Sequence, residues 1–322
     1  MKHIINSYNR HTERLEDINK YARECPDEFI ANAEHQYRKS ILDIVDVVCE
    51  CDSCYKMLML AGPSASGKTT TAKMIIEEVE KRGKHASLIS LDNFFKGREQ
   101  APLLPNGKFD YESIEALNIG QMQKCLSDLI KQGYSDIPIF DFLKGAQNEQ
   151  LERMTLKDDE IVIVEGIHAL NPITCGALPQ DKLLKIYVSV KQGVRINDKD
   201  DLLTYADIRL IRRIVRDRQF RNNSPEGTMN MWEQVIASEK VNIQPFKRSS
   251  DVVINSIHMY EPCVFGSMLI PLLETVPEDS EHKKELNRLH DALLEVVEIP
   301  IEKVPDSSLL REFLGKSRYY PE

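Results

Sequence analysis

The chain has 322 residues, 42% of them hydrophobic, seven cysteines and a formal net charge of −9. That length can bury a sizeable core in one large or two smaller domains, and the acidic balance excludes a general nucleic-acid binder, which needs a basic footprint. No apolar run approaches the roughly 20 residues that span a bilayer, the N-terminal stretch lacks the apolar core of a secretion signal, and the cysteines form no disulfide framework, so a cytoplasmic protein binding neither membrane nor nucleic acid is expected.

Residues 8 to 54 read as helical. Leu15, Ile18, Tyr21 and Ala22 recur at helical spacing, as do Ile41, Ile44, Val45 and Val48, and Pro26 divides the two runs. Cys49, Cys51 and Cys54 fall close together. A structural zinc wants four ligands, usually as two separated pairs, and no second pair follows. They read as small residues at a helix end.

From Met57 the pattern changes. Short β-type runs (KMLMLA, HASLIS, DIPIF, EIVIVEG, LLKIYVSV, DVVINS) alternate with helical stretches such as 69 to 82 and 114 to 132. Apolar strands separated by helices predict a parallel sheet covered on both faces. The first run leads into AGPSASGKTT, residues 61 to 70. A glycine, four variable residues, Gly-Lys and a hydroxyl residue, placed between a strand and a helix, make a phosphate-binding loop. Gly62 and Gly67 let the backbone bend tightly, so that N–H groups along Ser64, Ala65, Ser66, Gly67, Lys68, Thr69 and Thr70 can face phosphate oxygens. Lys68 is suited to the β- and γ-phosphates of a nucleoside triphosphate and the Thr69 hydroxyl to Mg²⁺. GTPases share this loop, but the Asn-Lys-x-Asp signature of guanine recognition is missing; NKYA at 19 to 22 lacks the Asp and precedes the loop.

The second run continues into ISLDNFF and puts Asp92 at a strand's C-terminal end beside the loop. A carboxylate there can accept a proton from an attacking hydroxyl or help to place Mg²⁺. EIVIVEG ends in Glu165, which is expected to hold the metal directly or through water. Further on, Arg209, Arg212, Arg213 and Arg216 recur at i, i+3, i+4 and i+7 along one side of a helix. In an acidic chain with a triphosphate loop, this stripe reads as a mobile lid stabilising phosphoryl charge rather than as a solvated face. Another segment follows from Pro225 to Glu239, and 261 to 297 read as two more helices before a tail containing DSSLLREFLGKSRYY.

Taken together, these segments resemble the uridine kinase family of P-loop kinases, which includes phosphoribulokinase-like members. The resemblance covers roughly residues 57 to 256: AGPSASGKTT, ISLDNFF, GKFDYESIEALN, PIFDF, IVIVEGIHALNP, RLIRRIVRDRQFR and DVVINS, in family order. NGKFDYESIEALN, EGIHALNP and SLLREFLGKS are also similar to bacterial nucleoside kinases that carry a threonyl-tRNA-synthetase-like N-terminal module; only the helices that would follow that module are expected here. The resemblance implies that Asp92 is the base for the nucleoside 5′-hydroxyl, and that Asp110 and Arg213 hold the ribose 2′- and 3′-hydroxyls. It implies that Arg216 and Arg221 contact phosphates and that Phe140 and Phe142 line the base pocket. A carboxylate suits a vicinal diol, and cationic forks suit phosphate. Several positions depart from the pattern. Phe140 and Phe95 stand where uridine-cytidine kinases have Tyr, Gly145 where they have a base-contacting His, and Asn223 where they have a base-contacting Arg. These changes remove polar contacts that read a pyrimidine edge.

The expected fold is therefore α/β, a P-loop NTPase-type parallel sheet flanked by helices with extra helices at both ends. Residues 1–55 would form an N-terminal helical extension, 56–260 the kinase domain with a lid at about 201–224, and 261–322 a C-terminal extension packed on it. The expected activity is Mg²⁺-dependent transfer of the ATP γ-phosphoryl group to a hydroxyl of a nucleoside. A sugar, sugar phosphate or cyclitol is the alternative acceptor, and an ATP-binding regulatory switch the alternative of another class. A homo-oligomer is left open.

Overall fold

The computed structural model describes residues 13–50, 55–104, 107–142, 144–157 and 159–320. Cys51 and Cys54 of the cysteine cluster lie outside them. The chain begins with helices α1 (Leu15–Glu24) and α2 (Pro26–Glu50), then enters β1 (Met57–Ala61), α3 (Lys68–Lys81) and β2 (Ala86–Ser90). Helix α4 (Ile119–Gln132) is followed by four short strands and one central one: β3 (Tyr134–Ile137), β4 (Phe140–Asp141), β5 (Ala146–Gln147), β6 (Glu152–Thr155) and β7 (Ile161–Glu165). Next come α5 (Pro172–Cys175), β8 (Leu183–Ser189), β9 (Val194–Arg195), β10 (Asp201–Leu203), α6 (Tyr205–Arg221) and α7 (Pro225–Asn242). Strand β11 (Val252–Asn255) precedes α8 (Glu261–Glu274), α9 (Lys283–Leu294) and α10 (Arg311–Leu314).

Five strands form one parallel sheet in the order β11-β8-β1-β7-β2. Alternate side chains of a strand point to opposite faces, and here each face has its own core. Leu58, Leu60, Ile161, Ile163, Leu184 and Ile186 join α1, α2, α3, α6, α8 and α9 in one cluster. Met57, Met59, Val162, Val164, Leu183 and Tyr187 join α4 and the turn after β2 in the other. Burial on both faces is why MLMLA and IVIVE are apolar throughout.

The DIPIF run does not join this sheet. Tyr134–Ile137 pairs antiparallel with Glu152–Thr155, and Phe140–Asp141 pairs with Ala146–Gln147. Burial alternates along β3, as expected of a half-exposed ribbon rather than a central strand, and Pro138 removes the donor that would continue it. The helical additions share the core. Ile41, Ile44 and Val45 of α2 and Leu309, Leu310 and Phe313 near the C-terminus all belong to the cluster that covers the sheet.

Candidate active site

Loops leaving the C-terminal ends of β1, β2 and β7 lie at one end of the parallel sheet, the end at which ligands bind in open α/β folds. After β1 the backbone turns through Ala65 at φ 59° and Gly67 at φ 84°, both left-handed, and α3 starts at Lys68. Only glycine adopts that conformation without cost, so Ala65 is strained. The alternation of backbone handedness makes an anion-binding concavity at a helix N-terminus. Thr71 N–H bonds to Gly67 O at 2.9 Å as the first helical turn closes, leaving the preceding N–H groups without intrahelical acceptors. The Ser66 hydroxyl is fully buried in the loop and has no partner among the described residues, as befits a group awaiting an anion. Lys68 spans the loop and donates to Pro63 O at 3.3 Å.

What holds this strained loop is part of the arginine stripe. Arg209 donates to Ser64 O at 3.0 Å and is paired through two bonds, 2.7 and 3.1 Å, with Glu239. Arg212 donates to Ala65 O at 3.3 Å and to Ser256 O at 2.7 Å, and is forked onto Glu261 at 2.6 and 2.9 Å. Both guanidiniums are buried. The expectation that the four arginines share one lid face is therefore corrected. Arg209 and Arg212 are turned inward because two buried carboxylates and two loop carbonyls satisfy them there.

The other arginines gather around Asp217, which is fully buried. Arg213, Arg216 and Arg221 approach it at 3.4, 3.0 and 3.2 Å. Arg213 also donates to the Ser64 hydroxyl at 2.8 Å, tying this cluster to the loop. Asp217 escaped sequence reasoning, although it lies four residues from both Arg213 and Arg221, the helical spacing of ion pairs.

Two carboxylates face Lys68. Asp92 is the second residue of the turn Leu91–Phe94 after β2, and its backbone N–H bonds to Ser90 Oγ at 3.4 Å. Burial raises its pKa, against the pull of Lys68 and Arg221. Glu165, only 5% exposed, accepts from Ser90 Oγ at 2.8 Å. Burial and then Asp92 push it up to about 7, while Lys68 and Ser90 oppose the shift. Two anions that destabilise each other beside an ammonium suit a place where a cation or a proton is taken up. Among the described residues no group of three His, Cys, Asp or Glu could hold a metal alone. A Mg²⁺ bound with a triphosphate needs none, because phosphate and water supply most of its ligands. Thr69 and Glu165 therefore fit Mg²⁺ as partial ligands.

Beside these groups lies the loop after residue 107. Asp110 Oδ1 accepts from Glu112 N–H at 3.1 Å. Burial raises the pKa of the Glu112 carboxyl, against the pull of Arg213 and Lys68, while Asp92 and Asp110 add to the rise. Glu112 was not singled out in the sequence. Phe140 is held by its N–H bond to Asn93 Oδ1 at 3.3 Å, next to Asp92 in sequence. Its ring meets Phe95 at 5.8 Å and Phe142 at 5.1 Å, and Phe142 is 57% exposed, giving an aromatic wall with one open face.

A strained anion cradle with a lysine, two flanking carboxylates and an arginine cluster defines a P-loop phosphotransferase site. Comparison with known proteins agrees with that class. Residues 57–261 match the model of the phosphoribulokinase / uridine kinase family. The uridine kinase of Deinococcus deserti is 28% identical over 206 residues, covering 64% of this chain and 89% of that protein. That of Ligilactobacillus salivarius is 28% identical over 196 residues, covering 61% and 82%. The solved structure of a possible uridine kinase from Bacillus stearothermophilus is 15% identical and covers 67% of this chain and 98% of that one, with a TM-score of 0.45. The chain belongs to the phosphoribulokinase / uridine kinase family and is a kinase.

Proposed function

We propose that this kinase transfers the γ-phosphoryl group of ATP, bound with Mg²⁺, to the 5′-hydroxyl of a ribonucleoside. The observation that carries the reading is Arg213 bonded to the Ser64 hydroxyl of the phosphate loop at 2.8 Å, with Lys68 and Asp92 following β1 and β2 of the one parallel sheet. In this reading the loop N–H groups and Lys68 hold the donor phosphates, and Thr69 and Glu165 hold Mg²⁺, which supplies charge neutralisation when bound. Asp92 takes the proton of the acceptor hydroxyl as its oxygen bonds to the γ-phosphorus and the β–γ bridging bond breaks, releasing ADP. A base whose pKa burial has raised accepts that proton more readily. Arg216 and Arg221 face the charge that develops on the transferring group, and Asp110 and Arg213 hold the ribose diol. The Phe95–Phe140–Phe142 wall takes the base by stacking, without the polar groups that distinguish one base edge from another. Broad base tolerance follows. The names of the relatives support a nucleoside acceptor. Among the described residues no helix is long and apolar enough to cross a membrane.

The experiment is kinetic. Asp110→Ala should raise KM at least tenfold for a ribonucleoside and much less for its 2′-deoxy counterpart, which already lacks one partner of the carboxylate. Equal effects on both substrates would remove Asp110 from the diol site and favour a different polyol as acceptor.

A further inference from the structure

The chemistry proposed above leaves the C-terminal segment unused, yet residues 308 to 320 run back to the phosphate loop. Leu309 packs on it so closely that a Cβ added to Gly67 would stand 2.4 Å from Leu309 Cδ1. Thr70, in the first turn of α3, donates its hydroxyl to the Glu312 carboxylate. The Tyr320 phenol lies 3.4 Å from the same hydroxyl. One turn further, Lys73 donates to Tyr319 O at 2.6 Å and sits 3.9 Å above the Tyr320 ring. Gln219 of α6 donates to Phe313 O at 2.6 Å, and Tyr319 donates its phenol to Glu77 at 2.7 Å. The segment is a strap fastened at both ends, with Glu312 between the fastenings.

A carboxylate at that position stands where a phosphate would also be favoured. The N-terminus of a helix after a phosphate loop attracts anions through its free N–H groups and its dipole, and in such loops the backbone cradles the α- and β-phosphates. Here the chain supplies an anion of its own to the first helical turn. The charge of Glu312 also reaches Glu165 and Arg221. A phosphate chain entering there meets a like charge already seated on Thr70.

We infer that Glu312 sets donor affinity: its carboxylate occupies the Thr70 end of the phosphate cradle, and the phosphates of the incoming donor displace it. This rests on the donor-site reading above but not on the identity of the acceptor. Glu312→Gln keeps an acceptor for the Thr70 hydroxyl and removes the charge, so it separates repulsion from packing.

The test uses the full chain with Mg²⁺ and two probes, ATP and inorganic triphosphate, without any acceptor. By calorimetry, Glu312→Gln should bind both at least about fivefold more tightly than the wild type, at the lower end of common coupling between sites. The gain should shrink at high salt. A residue with only a structural role would not tighten binding when replaced. In the wild-type chain, saturating inorganic triphosphate should speed amide hydrogen exchange across residues 311–320, and this measurement decides the matter if the variant does not fold. Equal or weaker binding by a folded variant overturns the inference, and so does unchanged or slower exchange in the wild type. A wild-type chain that binds neither probe sinks the donor-site reading itself, and the role of Glu312 with it.

Discussion

Arg212 shows how one side chain can serve the site without touching the donor. Its guanidinium is fully buried, forked onto Glu261, and bonded to the carbonyls of Ala65 and Ser256. Ala65 is the non-glycine residue of the phosphate loop held at positive φ, so Arg212 and Arg209 supply the fixed points that keep a strained turn in place. Arg212→Met should destabilise the protein by about 3–5 kcal/mol, because it leaves the Glu261 carboxylate buried without its partner. Pairing it with Glu261→Gln should recover part of that loss. Thermal unfolding of the single and double variants checks this, and a single variant as stable as the wild type would contradict it. The sequence showed the i, i+3, i+4, i+7 spacing of these arginines but not the direction each one faces. Helical spacing places residues on a side of a helix; the partners Glu239, Glu261 and Asp217 decide which are buried, and two of those lie outside the helix.

At the scale of elements, the strands and helices that carry the loop were legible because their burial is uniform. MLMLA and IVIVE are buried along their whole length, so composition alone marks them, and the phosphate loop follows from fixed glycine and lysine positions. The DIPIF run was misleading because a short apolar run looks alike in a central strand and in a peripheral ribbon. The 107–113 loop and the segment after β7 were less legible, since what matters there is tertiary contact. His168, two residues beyond Gly166, is buried, and burial pushes its pKa down to about 4 while the backbone of Glu112 and Ser113 opposes the shift. A histidine whose folded pKa lies below its unfolded value of about 6.5 binds its proton more readily when unfolded. Stability should therefore fall as pH drops from about 6.5 towards 4, by up to about 3 kcal/mol from this group. His168→Gln should flatten that slope. Denaturant titrations at pH 7, 5.5 and 4.5 measure it, and an unchanged pH dependence in the variant would assign the acid sensitivity elsewhere.

Across the whole molecule, the extensions at both ends act on the loop through one continuous core. Helix α2 reaches α3 through Tyr37, whose hydroxyl lies 2.5 Å from Thr71 Oγ1. Glu34 of the same helix accepts from Tyr260 at 2.5 Å and from Ser308 at 2.6 Å, joining N-terminal helix, α8 and C-terminal strap. Ending the chain after Val304 would remove Leu309, Leu310, Phe313 and Leu314, all buried. Each such side chain contributes about 1.5–3 kcal/mol, and four together rival the roughly 5–15 kcal/mol that holds a typical domain folded. The truncated chain should lose its cooperative thermal transition, whereas an unchanged melting temperature would mean that the strap is an independent appendage. The sequence indicated helices at both ends but could not show that they converge on Thr70 and Thr71, because the Tyr37–Thr71 contact joins residues 34 positions apart and the Thr70–Glu312 contact residues 242 apart.

The proposed role of Asp92 is to activate a nucleoside hydroxyl in front of a triphosphate held by the loop. It is tested by incubating wild type and Asp92→Asn with MgATP and a panel of ribonucleosides, sugars and cyclitols, and weighing the products by mass spectrometry. The wild type should yield ADP and a nucleoside 5′-monophosphate in equal amounts. The variant should bind MgATP as before and lose about 10²–10⁴-fold in kcat, the usual cost of removing a general base. Phosphorylation of a sugar or cyclitol but of no nucleoside, or undiminished turnover by folded Asp92→Asn, would contradict the account.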